Sequence, residues 1–227
     1  ITDCPDDITI ECDDSTLPGN TGMASATDNC DGMPTITYVD DSYTTEVCEN
    51  EYVIVRTWVA TDACGNSTTC NQSILIVDTT PPTITYCPPD VTIECTDDTS
   101  PQLNGTASAT DNCDAEPSVT YSDFNSEGEC ISEYTITRTW LASDNCGNTS
   151  TCIQIISVED NTAPQCSTQD ITITEIIDPD TGYVVLTPQM INNGSSDNCS
   201  EEVYLDIFPD TLFCVNEGNT IVTLTVS

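Results

Sequence analysis

An internal repeat is the feature of this 227-residue sequence that most constrains its fold. Residues 24–31, which read Ala-Ser-Ala-Thr-Asp-Asn-Cys-Asp, recur letter for letter at 107–114. The segments on either side recur as well, with a period of 83 residues that falls to 82 after one deletion. A third and more divergent copy follows. Since a fixed period indicates an array of similar modules, we predict three copies, at residues 1–80, 81–162 and 163–227.

Each copy reads as a series of short β-strands. Apolar and polar residues alternate along segments such as 52–59, and this period of two indicates a strand with one buried face. Loops rich in Asp, Asn, Gly and Pro separate these segments, and no stretch predicts a helix. The pattern predicts an all-β chain of sandwich modules. The strands expected in the first copy span residues 5–12, 22–28, 35–41, 51–61 and 67–77.

Proline-containing segments, residues 78–82 and 159–164, close the first two copies. Because proline favours an extended backbone, these junctions are expected to be stiff. We therefore expect a rod-like array rather than flexibly linked modules.

The chain has 15 cysteines and no histidine, and the cysteines do not form the C-x-x-C pairs of zinc sites. Disulfides in an oxidising compartment account for them better, since the cytosol keeps thiols reduced. The sequence contains no signal peptide and no apolar run of membrane-spanning length, so an export signal or anchor is expected outside it. We predict a secreted or cell-surface protein without direct membrane insertion.

The third copy guides the pairing of the cysteines, because it has lost some of them. It keeps the first, third and fourth cysteines and has Thr174 in place of the second, and the fifth and sixth positions would fall beyond Ser227. If cysteines are lost in pairs, the second bonds the fifth or sixth, and the third most simply bonds the fourth. The predicted pairs are Cys4–Cys70, Cys12–Cys64, Cys30–Cys48, Cys87–Cys152, Cys95–Cys146, Cys113–Cys130 and Cys199–Cys214.

Cys166, at the start of the third copy, has no partner in this scheme. The copy also lacks the strand that would complete its sheet, and an open sheet edge invites pairing. We expect a longer array in which Cys166 bonds a downstream residue. The alternative is that a neighbouring chain donates the missing strand.

The charge balance excludes several classes of partner. Asp and Glu number 39 against two arginines and no lysine, a formal net charge of −37. Nucleic acids and anionic membranes would be repelled, because the chain has almost no basic groups to bind phosphate. Divalent cations are expected partners, although most of the acids need only keep the surface soluble.

Residue types suited to catalysis are scarce. The chain has no histidine or lysine, and it contains no nucleophile elbow or phosphate-binding loop. We predict that the protein is not an enzyme. Arg56 and Arg138 each stand two residues before a tryptophan in a long strand, where we expect the arginine to bridge loop carboxylates while the tryptophan fills the core.

Four segments carry a resemblance to a known family. They are Cys-Pro-Asp-Asp-Ile-Thr-Ile-Glu-Cys at 4–12, Ala-Thr-Asp-Asn-Cys at 26–30, Arg-Thr-Trp-Val-Ala-Thr-Asp-Ala-Cys-Gly-Asn at 56–66, and Val-Asp-Thr-Thr-Pro-Pro at 77–82. With them the chain resembles the hyalin-repeat-like and immunoglobulin-like modules found in tandem in large secreted or surface-attached bacterial proteins, including adhesins and gliding-motility surface proteins. The resemblance implies tandem, disulfide-stapled immunoglobulin-like β-sandwich repeats.

The function implied by the resemblance is that of a structural repeat in an extracellular surface fibre or adhesin stalk, a stiff and protease-resistant rod. Its partners would be neighbouring repeats or subunits of the same protein. The alternative is a module that binds surface glycans or host or cell-surface proteins through its loops. Several exposed tyrosines clustered on one loop face would favour that alternative.

Acidic residues are expected to meet where one copy joins the next. In an immunoglobulin-like topology, the loop after the second strand and the loop before the last strand lie at the pole that receives the preceding linker. Oxygen ligands from several loops suit Ca²⁺, whereas Mg²⁺ prefers a tighter octahedron. The alternative is that these Asp and Asn residues only stabilise turns. The predicted ligands are Asp78, Asp111, Asn112, Asp144 and Asn148 for the second copy, and Asp160, Asp197 and Asn198 for the third.

Overall fold

The computed structural model describes residues 1–45, 48–128, 132–172, 183–200, 202–213 and 220–227 of the chain. Within these residues the chain consists of β-strands, loops and three one-turn helices. No helix in this described part is long and apolar enough to cross a membrane. The predicted all-β class is confirmed.

The first copy forms a four-stranded sheet. Its elements are β1 (Ile8–Glu11), α1 (Pro18–Thr21), β2 (Thr35–Thr44), β3 (Tyr52–Thr61) and β4 (Ser67–Val77). The strands lie in the order β1-β4-β3-β2, with β1 parallel to β4 and the other pairs antiparallel. The parallel register sets Glu11 opposite Val77, so the first strand ends where the chain leaves the last strand for the linker.

The second copy repeats this sheet. Its elements are β5 (Thr83–Tyr86), β6 (Val91–Glu94), α2 (Pro101–Asn104), β7 (Ser108–Thr110), β8 (Ser118–Glu127), β9 (Tyr134–Ser143) and β10 (Thr149–Glu159). The order β6-β10-β9-β8 matches that of the first copy, and the parallel pair again aligns the two strand ends, Glu94 opposite Glu159. A second, small sheet pairs β5 with β7.

The third copy has shorter described elements. They are β11 (Tyr183–Val185), α3 (Pro188–Ile191), β12 (Leu205–Phe208), β13 (Thr211–Phe213) and β14 (Thr223–Val226). Two antiparallel pairs form, β11 with β13 and β12 with β14. Leu186, Ile191 and Ile207 are the buried centre of its core.

Two local predictions were wrong in the first copy. The expected strand at 22–28 is reduced to a single bridge between Asp3 and Ser25. The sequence predicted no helix, but a helical turn, α1, precedes this bridge. It begins at Pro18, whose fixed φ suits a first helical position. Gly22 ends this turn at a φ of +100°, and a Cβ there would meet Pro5 at 3.0 Å, so the chain turns where only glycine fits.

The described chain divides into two compact units. Unit 1 comprises Ile1–Pro88, Gly105–Ser122 and Arg138–Gln154, and unit 2 comprises Pro89–Asn104, Asp123–Thr137 and Ile155–Ser227. Unit 1 therefore contains the first copy together with the two regions of the second copy that carry Cys113 and Cys146. The division into three copies remains a prediction from the sequence.

Alternate side chains of the central strands form the core of the first copy. The largest buried side chain is Trp58 of β3, and Tyr38 packs against it with 5.2 Å between ring centroids. The burial follows the two-residue alternation read from the sequence. The aliphatic cluster beside it consists of Ile10, Ile54, Ile74 and Ile76.

Arg56 lies inside this core with 1% of its surface exposed. Its Nε and Nη2 donate to the two carboxylate oxygens of Asp40 on the neighbouring strand, at 2.8 and 2.9 Å. The remaining donors reach Thr21 Oγ1 at 2.8 Å and the Thr16 carbonyl at 2.7 Å, and the guanidinium lies 4.5 Å from the centre of the Tyr38 ring. The hydrogen bonds to Asp40 raise the pKa of the guanidinium. The predicted arginine–carboxylate contact is confirmed, with the acid on a strand rather than a loop.

Two of the predicted disulfides are confirmed. Each joins the first segment of a copy to the last long strand of the same copy, with 6.3 Å between the Cα atoms. They are Cys4–Cys70 and Cys87–Cys152.

The other predicted disulfides were wrong, because Cys30 and Cys64 are free and the remaining described cysteines concerned bond to a different copy. The three observed pairs are Cys12–Cys113, Cys48–Cys146 and Cys95–Cys199. They replace Cys12–Cys64, Cys30–Cys48, Cys95–Cys146, Cys113–Cys130 and Cys199–Cys214, of which Cys130 and Cys214 lie outside the described residues. For Cys12 and Cys95 the physical reason is the parallel strand pair, which ends β1 and β6 where the linkers to the next copy begin.

Replacing Arg56 with Met should destabilise the first copy by about 3 kcal/mol, because it leaves the Asp40 carboxylate without its buried partner. This loss of stability is at the lower end of the range for breaking a buried ion pair, since Asp40 keeps contact with water. Urea unfolding followed by tryptophan fluorescence, in chains that carry Trp140→Phe, measures the loss. Asp41→Asn, on the same strand, is the control and should change stability by less than about 0.5 kcal/mol. An Arg56→Met chain as stable as its parent would contradict the role of this pair.

Candidate functional site

Three carboxylates that the sequence assigned to one site do meet in unit 1. Asp78 comes from the linker, Asp111 from the loop after β7 and Asp144 from the turn between β9 and β10. One carboxylate oxygen of each lies within 4.8 Å of the other two. Asp78 is only 6% exposed and Asp144 only 7%. Three acids are thus held together with little water to screen them.

Turn chemistry accounts for one oxygen of each loop acid. Asp111 Oδ1 accepts the backbone N–H groups of Cys113 and Asp114, at 2.8 and 2.9 Å. Asp144 Oδ1 accepts those of Cys146 and Asn148, at 2.9 and 2.8 Å. The alternative interpretation from the sequence, that these residues stabilise turns, is therefore correct for these oxygens.

The second oxygens are not explained by the turns. Among the described residues, Oδ2 of Asp78 and Oδ2 of Asp111 are buried and have no hydrogen-bond partner. Asp144 Oδ2 accepts from the Asn148 side chain at 2.8 Å, and the same amide donates to the Asp78 carbonyl at 3.0 Å. Burying a carboxylate oxygen without a partner is costly. A bound cation would satisfy both of these oxygens.

The electrostatics of the cluster favour the same conclusion. Burial raises the pKa of Asp78 most, and the neighbouring charges of Asp111, Asp144 and Glu11 raise it further, while the hydrogen bond from the Thr80 N–H lowers it. Burial and the neighbouring charges therefore make the ionised form of Asp78 less favourable in the metal-free protein. A divalent cation among the acids would reverse the effect, because attraction to the cation would replace mutual repulsion.

Glu11 belongs to this site and sequence reasoning missed it. Its carboxylate accepts the Thr79 N–H at 3.2 Å and the Thr79 hydroxyl, which fixes the start of the linker next to Asp78. The signal was present in the sequence, because Glu11 and Glu94 directly precede equivalent cysteines in two copies. Glu94 accepts the Asn161 N–H at 3.2 Å in the corresponding place.

The first copy provides an internal comparison. Asp28 and Asp62 make the same turn hydrogen bonds as Asp111 and Asp144, but Asp28 is exposed, Asp62 is only partly buried, and no linker acid lies beside them in the described structure. Hydrogen bonds from Asn66 lower the pKa of Asp62, so ionisation is favourable there. The same turns therefore occur with and without the strained cluster. The second copy differs from the first because its acids are more buried and because the linker acid Asp78 lies among them.

Two of the predicted ligands, Asn112 and Asn198, contact cysteine sulfur atoms. The side-chain nitrogen of Asn112 lies 3.1 Å from Cys113 Sγ, and that of Asn198 lies 3.2 Å from Cys199 Sγ. Both amides therefore face the disulfides between copies. Asn148 braces the acids through its donated hydrogen bonds, as described above.

A less complete version of the site occurs in unit 2. Asp160 and Asp197 have carboxylate oxygens within 4.8 Å of each other and of Cys199 Sγ, which is engaged in a disulfide. Both acids are half-buried, and each uses Oδ1 for a turn, Asp160 with the Thr162 N–H and Asp197 with the Cys199 N–H. Two acids rather than three converge here, so the cluster in unit 1 is the stronger candidate.

The chemistry of the donor set fits Ca²⁺. Asp78, Asp111 and Asp144 are hard oxygen ligands from three separate segments, and Ca²⁺ accepts irregular sets of this kind and completes its shell with water. An open cleft beside the cluster supplies a path to solvent. It is lined by Asp13, Thr80, Pro81, Thr83, Thr110, Asp111 and Asn112.

No protein-family model matches the chain. Among solved structures it is similar to tandem Ig repeats of Dlar, at 13% sequence identity and a TM-score of 0.24, over 57% of this chain and 84% of that one. It is also similar to the extracellular cadherin domains 1–4 of protocadherin Gamma B7, at 14% identity and a TM-score of 0.26, over 91% of this chain and 62% of the other. Likenesses at this level assign no ligand and no activity.

Calcium should raise the unfolding temperature of the parent protein and leave that of Asp78→Asn unchanged. At a concentration 100 times Kd, binding stabilises by about 2.7 kcal/mol. Calorimetry with excess EDTA, CaCl₂ or MgCl₂ measures the effect, and Asp28→Asn, in the equivalent turn of the first copy, is the control that should still respond. Equal melting temperatures of the parent in EDTA and in CaCl₂ would show that the cluster holds no calcium.

In metal-free protein at neutral pH, Asp78→Asn should be more stable than the parent, and this advantage should shrink as the pH falls. Folding raises the pKa of Asp78, so the folded state binds a proton more tightly than the unfolded state. The parent therefore gains stability as the pH falls through the raised pKa toward the ordinary value, and the variant lacks this gain. Melting curves of both chains in EDTA across this range give the difference. A difference that does not change with pH would contradict the raised pKa.

Proposed function

We propose that this chain is a structural module of an extracellular surface fibre or adhesin stalk, in which consecutive copies are joined by disulfides and by Ca²⁺. The observation that carries the proposal is the set of disulfides between copies. A disulfide within a module stabilises that module alone, whereas one between modules passes tension from each module to the next. The pairs concerned are Cys12–Cys113, Cys48–Cys146 and Cys95–Cys199.

The junction between the first and second copies has the covalent connections that a stiff stalk requires. The chain itself crosses it through the linker at 78–82, and Cys12–Cys113 and Cys48–Cys146 cross it again. A single linker permits rotation, but three connections at separate points oppose both rotation and bending. Calcium at the acidic cluster would add a fourth connection, because Asp78 belongs to the linker and Asp144 to the second copy.

Protease resistance is a second support for an extracellular role. The chain has no lysine, and its two arginines, Arg56 and Arg138, are each 1% exposed. Trypsin-like enzymes therefore find no accessible basic residue in the folded protein. The five disulfides in the described part of the chain are also typical of proteins outside the reducing cytosol.

The same arrangement gives no support to catalysis. The converging acids are fixed by turn hydrogen bonds, and the chain contains no histidine or lysine to act as a base. A structural role needs neither. We therefore propose a protein that is not an enzyme.

The alternative function, binding of glycans or surface proteins, would be favoured by aromatic side chains grouped on one loop face. The strongly exposed aromatic residues in the described part instead lie mainly on separate strands: Tyr43 on β2, Tyr86 on β5, Phe124 on β8, Phe208 on β12 and Phe213 on β13. Tyr38 and Tyr121 use one ring face to cover a buried arginine. The structural role is therefore the better supported.

A stalk module should resist extension, and the disulfides set the limit. The shortest covalent path from Ile1 to Ser227 through the observed bonds contains about 60 residues, so the oxidised chain should stretch to roughly 200 Å. The reduced chain should reach roughly 800 Å. Single-molecule pulling from the two ends measures both lengths.

The double variant Cys95→Ser with Cys199→Ser tests the bond between the second and third copies. It lengthens the shortest path to about 100 residues, or roughly 340 Å. The matched control, Cys30→Ser with Cys64→Ser, removes two free cysteines and should leave the limit at about 200 Å. An oxidised parent chain that extends as far as the reduced one would remove the basis for a load-bearing role.

A further inference from the structure

Two free cysteines in the first copy occupy the positions of two cross-linked cysteines in the second. Cys30 corresponds to Cys113, which bonds Cys12, and Cys64 corresponds to Cys146, which bonds Cys48. Cys30 and Cys64 are both exposed, and neither forms a disulfide in the described structure. The first copy therefore carries two unbonded cysteines at positions that receive disulfides in the second copy.

The loop that carries Cys30 is built like the loop of its bonded counterpart. Asp28 Oδ1 accepts the N–H groups of Cys30 and Asp31, both at 2.8 Å. Asp111 holds the loop of Cys113 through the same two hydrogen bonds, at 2.8 and 2.9 Å. The Cys30 loop therefore has the conformation that forms a disulfide in the second copy.

The turn that carries Cys64 also matches its counterpart. Asp62 Oδ1 accepts the N–H groups of Cys64 and Asn66 at 2.8 and 2.9 Å, as Asp144 does for Cys146 and Asn148. The glycine after each cysteine has the same left-handed backbone, with φ of +89° at Gly65 and +92° at Gly147. Both receiving loops are thus formed before any partner binds.

The two loops are also braced against each other in the same way. The Ala63 N–H donates to Asp31 Oδ2 at 3.0 Å, and the Asn145 N–H donates to Asp114 Oδ2 at 3.0 Å. In the second copy this brace does not lead to a bond between the two cysteines, because each bonds a different cysteine of the preceding copy. The brace therefore fixes the two cysteine-bearing loops to each other in both copies.

We propose that Cys30 and Cys64 form two disulfides with another repeat of this kind, Cys30 with a cysteine at the position of Cys12 and Cys64 with one at the position of Cys48. The partner would pair with the first copy as the first copy pairs with the second. This inference rests on the proposed function and names the partner of the module. Two bonds of this kind at every junction would turn a chain of repeats into a continuous covalent ladder.

Each new bond follows ordinary thiol oxidation. The two thiols lose two protons and two electrons, and a disulfide oxidant such as oxidised glutathione takes them up and becomes two thiols. The bonds would also hold together two surfaces that repel each other. Asp28, Asp31 and Asp62 surround the free cysteines, so an equally acidic partner would be repelled without a covalent connection.

The test adds one repeat to the complete chain. Residues 1–83 carrying Cys30→Ser and Cys64→Ser are fused ahead of Ile1, which reproduces the spacing between the first and second copies and leaves only one Cys30 and one Cys64 in the extended chain. Both proteins are refolded in a glutathione redox buffer, exposed to N-ethylmaleimide and digested without reduction by a protease that cleaves at acidic residues. In the parent chain the reagent should label Cys30 and Cys64. In the extended chain mass spectrometry should find these cysteines bonded to Cys12 and Cys48 of the added repeat.

The matched control carries Cys12→Ser and Cys48→Ser in the added repeat only, and Cys30 and Cys64 should become labelled again. Two Cys4–Cys70 disulfides per chain, in place of one in the parent, report that the added repeat has folded. Labelling of Cys30 and Cys64 in an extended chain that has formed this bond would overturn the proposal, as would a bond between Cys30 and Cys64. Neither result would affect the extension limit of the parent chain. This proposal can therefore fail while the proposed function still holds.

Discussion

Disulfides between consecutive copies are the constraint on which the rest of this structure depends. The aliphatic core of the first copy is small, with four buried isoleucines beside one tryptophan, and cores of this size rarely hold a module together without covalent help. Cys4–Cys70 closes the copy on itself, and Cys12–Cys113 fixes it to the next. Crosslinks that span long stretches of chain restrict the unfolded state most.

Charge is the second constraint, and the chain handles it in two ways. With a net charge of −37 it can neutralise few acids internally, and it uses the buried Arg56 to pair with Asp40, whose carboxylate keeps contact with water. The acids at the junction have no such partner, and the burial of Asp78 makes their repulsion worse. A covalent junction can tolerate this repulsion, and a bound cation would convert it into attraction.

The geometry of the parallel strand pair connects the two constraints. Because β1 runs parallel to β4, Glu11 and Cys12 leave the sheet where Val77 and Asp78 leave it. The crosslinking cysteine, the acid that fixes the linker and the buried linker acid therefore share one end of the sheet. The second copy repeats the arrangement with Glu94, Cys95 and Asp160, so one local topology generates the junction each time it occurs.

The sequence by itself determined the repeat, the alternation of the strands, the disulfide that closes each full copy and the meeting of Asp78, Asp111 and Asp144. These follow from local periodicity and from a topology in which loops at one pole converge. It did not determine the partners of Cys12, Cys48 and Cys95, because losing cysteines in pairs was taken to mean pairing within a copy. Equivalent cysteines are chemically identical in every copy, so the sequence cannot distinguish a bond within a copy from one between copies. Only the tertiary structure decides, since it sets which sulfur atoms are within bonding distance.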